Sequence, residues 1–374
     1  MDDAESALER PSAMGRSTGN SSDMVIRIPV VVHVLYSSSL QNISDEQVRS
    51  QIASLNRDFR RDNSDTVNTP ARFRGIAADV AIEFVLASSD PEGYQTTGIV
   101  RKFTTVGEWS NDDRIKFTSA GGDDAWDPKS YLNIWVGQMR RIIGYASAPG
   151  GPTDRDGLVI TPSVFGTIGV REPYNLGRTV VHEVGHWLGL RHIWGDSYCG
   201  NDGVDDTPPQ GNFTAGCPNG FRSSCNNGQA GDMYMNYMDF TSDACMNLFT
   251  NGQKLRMRNS FAPGGPKESF LKSTGLSKPW NTGVRTAVVP VATSVKPLSV
   301  YPNPATSFIT VNTGGEAEWI GTELRLTSVT GGLLQRTVIR SRLQSIDVSA
   351  LLPGVYLLRG QAGDRRLSFT FIKN

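Results

Sequence analysis

An α/β (α+β) domain followed by a small all-β sandwich is the fold class that this 374-residue sequence predicts. Three observations carry it. β-Branched runs alternate with a clear amphipathic helix up to residue 160, and a second helical pattern stands near the middle of the chain. Beyond residue 297 there are only short alternating runs separated by Gly and Pro.

In chain order, residues 1–23 are polar and aperiodic, as in a leader or the remnant of a pro-segment. Residues 25–36, VIRIPVVVHVLY, read as a buried strand, with His33 a satisfied strand residue rather than a metal ligand. Ser44-Asp45-Glu46-Gln47 resembles a capping box, and Val48, Ile52, Leu55 and Phe59 recur at helical spacing through Arg61. Strands are predicted at residues 81–87 and 131–136 and at the short run 142–149, which ends in Pro and Gly as edge strands do. Residues 156–160 return into the sheet, and a helix follows from about Asn175. Loops follow His192 as far as a helix at residues 252–260, and residues 278–297 form a Pro-, Thr- and Val-bearing linker. Strands are expected at 308–311, 323–327, 345–348, 355–359 and 368–372.

Lys and Arg number 37 and Asp and Glu 37, a balance that argues against nucleic acid or anionic membrane as the main partner. No apolar run is long enough to span a bilayer. The first residues lack the basic and apolar regions of a secretory signal, so either the start is internal or the protein stays inside. The four cysteines, Cys199, Cys217, Cys225 and Cys245, lie in one loop-rich region. They read as a second zinc site or as two disulfides; the absence of a CxxC pair favours disulfides, hence an oxidising compartment and export.

The chemistry centres on residues 182–192, HEVGHWLGLRH. On a helix, His182 and His186 share a face and can bind one ion, with Glu183 beside them. Gly189 stands where the helix stops, because glycine enters the left-handed region at no steric cost, and the turn delivers His192 as a third nitrogen ligand. Three imidazoles leave a tetrahedral zinc one position for water, whose pKa falls to about 7. Glu183 can then act as general base in metal-assisted peptide hydrolysis. Downstream, Asp202, Asp205, Asp206 and Thr207 form a hard-oxygen set that is either a calcium site or a solvated acidic loop.

The 182–192 motif, followed by Asn236-Tyr237-Met238-Asp239-Phe240, resembles the metzincin metalloproteases. In those a tight turn carrying a methionine lies under the zinc, which gives Met238 that place. Asp205-Asp206-Thr207-Pro208 and residues 243–250, DACMNLFT, are more narrowly similar to the pappalysin family and its ulilysin-like members, over about residues 23–271. The resemblance implies pairing of Cys199 with Cys225 and of Cys217 with Cys245, and calcium at the acidic loop. It also places Asp243 at the base of the pocket for the residue after the cut, so that cleavage falls before Arg or, less well, Lys. One departure is Phe240, where the family usually has a tyrosine whose hydroxyl helps stabilise the oxyanion. Loss of such a donor costs about tenfold to a thousandfold in rate where it is used.

Residues 299–306, SVYPNPAT, with Leu352-Pro353-Gly354-Val355-Tyr356 and the final Phe371-Ile372-Lys373-Asn374, resemble the C-terminal sorting domain of type IX secretion. The implied partners are that machinery and protein or peptide substrates, with the true start missing. The expectation is a secreted or cell-surface, monomeric zinc endopeptidase: leader at 1–23, metzincin-like catalytic domain at 24–277, linker at 278–297, sorting domain at 298–374. The alternative is a catalytically weak surface-binding protein displayed through its β domain.

Overall fold

The computed structural model describes residues 24–282, 299–313, 319–329, 331–341, 343–362 and 365–374, so the predicted leader and most of the linker lie outside the described residues. The chain divides into two compact units, residues 1–283 and 284–374.

The first unit is built on β1 (Ile26–Tyr36), whose residues from Ile28 to Leu35 are all buried. A strand covered on both faces reads as a continuous apolar run, as this one does. Its first half pairs in parallel with β2 (Ile82–Leu86), and its second half with β3 (Ile99–Phe103). Val32, His33 and Val34 pair with β3 and also with β4 (Leu132–Val136), so β4 lies on the opposite edge. Beyond β4 come β6 (Leu158–Ile160), in parallel, and β5 (Gly144–Ala146), antiparallel to β6 and last in the sheet order. β3 was not expected, because IVRKF carries two charges in five residues. It is a strand because the second half of β1 offers it an edge.

Helix α1 (Asp45–Phe59) starts at Ser44, whose hydroxyl accepts from the Gln47 N–H at 3.1 Å. It buries Val48, Leu55 and Phe59 with the sheet side chains. A short helix α2 (Ala71–Arg74) follows. Helix α3 (Arg178–Trp187) begins three residues later than predicted, because Gly177 turns the chain with φ 76°. Helix α4 (Asn251–Asn259) carries a complete capping box between Thr250 and Gln253. His33 donates or accepts at both nitrogens, to Asp123 at 2.8 Å and Asn133 at 3.0 Å, and stacks on Trp135. It is a satisfied core residue.

The second unit has a three-stranded sheet of β7 (Ser299–Tyr301), β8 (Phe308–Asn312) and β11 (Leu343–Asp347). A four-stranded sheet of β9 (Glu323–Ser328), β10 (Leu333–Val338), β12 (Gly354–Ala362) and β13 (Arg365–Lys373) completes it. Ile309, Val311, Trp319, Leu326 and Phe371 fill the core of this sandwich. β7 and β10 were not predicted; β10 alternates between half-buried and exposed positions and has no apolar face of its own.

Candidate active site

α3 is buried on nearly every side, which fixes the direction of its side chains. Its C-terminus closes as expected: Gly189 has φ 91°, and the Leu190 N–H donates to Gly185 O at 2.9 Å. The turn brings His192 back to the helix. His182 Nε2 and His186 Nε2 lie 3.0 Å apart, and His186 Nε2 and His192 Nε2 3.1 Å apart. Behind the cluster each Nδ1 has its own acceptor: Tyr237 O at 2.7 Å for His182, Leu190 O at 2.9 Å for His186, and Asp196 Oδ1 for His192.

Those acceptors place the ring proton on Nδ1 and leave three Nε2 lone pairs aimed at one point. With no proton between them such lone pairs repel, and a cation relieves the repulsion. The donor set therefore fits zinc. Burial, together with the charges of the neighbouring imidazoles, pulls His182 well below its ordinary range and His186 down to about 4, so both are neutral and ready to ligate. Among the described residues these three histidines are the one group of three or more closely spaced metal-ligating side chains.

Asp196 was not anticipated; its signal was a carboxylate four residues after the third histidine. Removing it leaves the His192 tautomer unfixed. We expect Asp196→Ala to weaken zinc affinity about 10- to 100-fold, read by competition with a chromogenic chelator. Unchanged affinity would show that the carboxylate is incidental.

Met238 is fully buried beneath the helix, and a Cβ at Gly185 would run into its sulfur. Only a glycine at 185 lets the methionine turn come this close. Glu183 lines a cleft of about 450 Å³ with His182, Ile143, Gly144, Phe213, Phe240 and Asp243. Burial pushes the Glu183 carboxyl up to about 8, a shift that a neighbouring cation opposes.

Asp243 is buried at the N-terminus of α3, where Oδ2 accepts from the N–H groups of Leu176 at 2.8 Å and Arg178 at 3.2 Å. Burial raises its pKa against those hydrogen bonds. Phe240 is 44% exposed and sits edge-on to His192, so no hydroxyl occupies that place. Tyr237 does not replace it: its OH is buried and has no hydrogen-bond partner among the described residues.

The structure pairs Cys199 with Cys225 and Cys217 with Cys245, as the resemblance implied. The two bridges hold a region whose described residues form no long helix or strand. The acidic loop is not gathered into a cage. Asp202 is buried and bonded by Val204 N–H and the Thr207 hydroxyl, whereas Asp206 accepts from Thr250 Oγ1 at 2.6 Å and Gly252 N–H at 2.8 Å, capping α4. Asp205 is exposed. Hydrogen bonds to the start of α4 thus draw away one of the four expected oxygen ligands.

Residues 119–262 match the peptidase M43 family model, described as pregnancy-associated plasma protein-A, and residues 299–374 match the model of the secretion system C-terminal sorting domain. An extracellular metalloprotease of Uncinocarpus reesii is 37% identical over 205 residues, which cover 51% of this chain and 70% of that protein. The chain belongs to the pappalysin family of metalloproteases. A pappalysin relative from Coccidioides posadasii, extracellular metalloprotease 1, is 49% identical over 135 residues, 34% of this chain and 48% of that one. Among solved structures, mirolysin in complex with compound 9 is 48% identical with a TM-score of 0.65, covering 66% of this chain and 96% of that chain. Mature mirolysin of Tannerella forsythia in complex with a cleaved peptide gives the same values. This pappalysin is therefore a metalloendopeptidase, secreted or at the cell surface, whose family implies a catalytic zinc and whose sorting domain implies the secretion machinery as partner. No helix among the described residues is long and apolar enough to cross a membrane.

Proposed function

We propose that this metalloendopeptidase cuts on the N-terminal side of Arg, and less readily Lys, with His182, His186 and His192 as zinc ligands, Glu183 as general base and Asp243 as the specificity residue. The observation that carries the specificity is the Asp243 carboxylate. It lines the same cleft as Glu183 and His182, and only Oδ2 is engaged; Oδ1 accepts no hydrogen bond among the described residues. A buried carboxylate with a free oxygen favours a cationic partner, and a guanidinium matches it better than an ammonium.

Zinc bound at the three imidazoles supplies Lewis acidity to the scissile carbonyl and acidifies the attacking water. Glu183 takes the proton of that water and returns it to the leaving amine. The outer edge of β5 receives an extended substrate by backbone pairing. Gly144 keeps that edge low over the base: a Cβ there would stand 3.4 Å from Glu183 Cγ and 2.8 Å from Ile160 Cδ1. Neither Phe240 nor Tyr237 offers an oxyanion donor, so polarisation of the scissile carbonyl would rest on zinc held by His182, His186 and His192.

On this reading residues 24–277 are catalytic and 298–374 an address, and a monomer suffices because every proposed site residue comes from one chain. The surface-binder alternative is not favoured, since the relatives are metalloproteases. The test is digestion of a mixed proteome by wild type and Asp243→Ala. Wild type should cut before Arg and Lys, and the variant should lose that preference; the same cleavage profile in both would remove Asp243 from the pocket.

We also propose calcium at the 202–207 loop. Its support is Asp202, which burial pushes up to about 6 against the hydrogen bonds of Thr207 and Val204 and the charge of Arg256. An ion binding only the folded state stabilises by mass action, about 2.7 kcal/mol at a hundredfold excess over its Kd. Calcium added to stripped, zinc-loaded protein should raise Tm, and a flat titration would dismiss the site.

A further inference from the structure

The loop between β4 and β5 carries a cation that the reaction described above does not use. Arg141 lines the cleft with Asp243, Glu183 and His182. Its guanidinium is exposed and makes no hydrogen bond or ion pair with a described residue. Nearby arginines are spoken for: Arg140 pairs with Glu108, and Arg178 is buried against Asp58 and Asp65.

The backbone that presents Arg141 is fixed. The Gly137 N–H donates to Ile160 O at 3.1 Å, the Arg140 N–H to Trp109 O at 2.8 Å, and the Thr161 N–H to Ile143 O at 2.9 Å. Met139 is buried beneath the loop. Arg141 itself has φ 68°, a left-handed turn that glycine or asparagine would adopt with less strain. A fixed loop aiming an unpaired guanidinium into a cleft is a recognition feature without an assigned ligand.

The direction of the substrate follows from which residues share that cleft, and this step rests on the Asp243 reading. Residues 141–144, at and before the start of β5, line the cleft together with Asp243, whereas Tyr145 and Ala146 do not. If Asp243 takes the residue after the cut, the later part of the substrate runs toward the start of β5, antiparallel to it. Each substrate residue advances about 3.3 Å along the edge. Arg141, three residues before Gly144, then stands beside the second or third residue after the cut.

We propose that Arg141 forms a second specificity subsite, taking the carboxylate of an Asp or Glu two or three residues after the cut. The subsite is open to solvent, so its contribution is that of an exposed ion pair, about two- to fivefold in kcat/KM, and it weakens as ionic strength rises.

The test uses the full chain with zinc and quenched fluorescent peptides that carry Arg after the cut. Glu, Gln and Lys are placed in turn at each of the three positions on either side. Wild type should favour Glu over Gln, and Gln over Lys, at the second or third position after the cut. Arg141→Gln should bring those ratios to about one, and Arg141→Glu should invert them in favour of Lys, which a loss of folding would not do. Equal rates for Glu, Gln and Lys in the wild type, or ratios unmoved in both variants, overturn the proposal. So does an Arg141-dependent preference that falls before the cut. A matched series with Leu replacing the Arg after the cut reads Asp243 separately. Loss of the Arg preference there, with the Arg141-dependent ratios intact, sinks the Asp243 assignment and leaves the second subsite standing.

Discussion

Glu183→Gln should lower kcat on a peptide substrate by about two to four orders of magnitude while the protein keeps its zinc. The reason is positional. Glu183 lies on the helical turn that carries His182, lines the cleft under Gly144, and is the carboxylate there that stands beside the three histidines. Glutamine fills the same volume and keeps an oxygen, but it cannot take a proton from water. Because the three imidazoles take their orientation from Tyr237 O, Leu190 O and Asp196, and the Glu183 side chain hydrogen-bonds to none of these among the described residues, metal content should not change. Metal analysis of the purified variant alongside single-turnover peptide cleavage reads both quantities. A variant that retains a tenth of the wild-type rate would remove Glu183 from the proton transfer, and one that loses its zinc would make it a structural residue. In the same assay, wild type stripped by a chelator should be inactive and should recover with added zinc.

Arg178→Met should destabilise the first unit by about 3–5 kcal/mol. Arg178 is 1% exposed, and its guanidinium joins Asp58 Oδ2 at 3.1 Å, Asp65 Oδ2 at 2.6 Å and the backbone carbonyl of Asp243 at 2.6 Å. Methionine replaces the apolar stem and abandons the carboxylates. Asp58 is itself fully buried on α1 and would be left with the half-buried Arg57, at 2.9 and 3.1 Å, as its cationic partner. Burial raises the Asp65 carboxyl, but the Arg178 hydrogen bond and charge outweigh it and leave the group below its ordinary range. A carboxyl lowered in the folded state stabilises above its unfolded pKa of about 3.9, and that contribution fades as pH falls through the folded value. The variant should lose this part of its acid dependence. Equilibrium urea unfolding followed by tryptophan fluorescence gives the difference, and the double variant with Asp58→Asn should recover part of it. A loss under about 1 kcal/mol would mean that the cluster contributes no net stability.

Arg178 also shows where sequence reasoning stops. It stands four residues before His182 and reads as an ordinary helix-start residue, yet it joins α1, the 64–68 turn and the Asp243 segment, which are far apart in the chain. The acceptors that hold it, two carboxylates and the Asp243 backbone carbonyl, are scattered over 185 positions, a relation that no local pattern can carry. β3 escaped prediction for the same reason, since its pairing with β1 outweighs a sequence with little strand character.

What the sequence determined by itself is the local chemistry. Helical periodicity puts His182 and His186 on one face with Glu183 beside them, and the steric freedom of Gly189 allows the turn to His192; both depend on neighbours within eleven residues. The long apolar run of β1, the Ser44 cap and the alternation beyond residue 297 are local in the same sense, and each stands in the structure. Only the tertiary structure decided what depends on distant partners. It set His33 against Asp123 and Asn133, turned Asp206 away from Asp202 to cap α4, and brought Asp196 behind His192 through a left-handed turn. It also set Asp243 and Arg141 in one cleft although 102 positions separate them. A side chain's type fixes which bonds it can make, but which bond it makes is a competition among all the partners that folding brings within reach, and burial decides the strength of each.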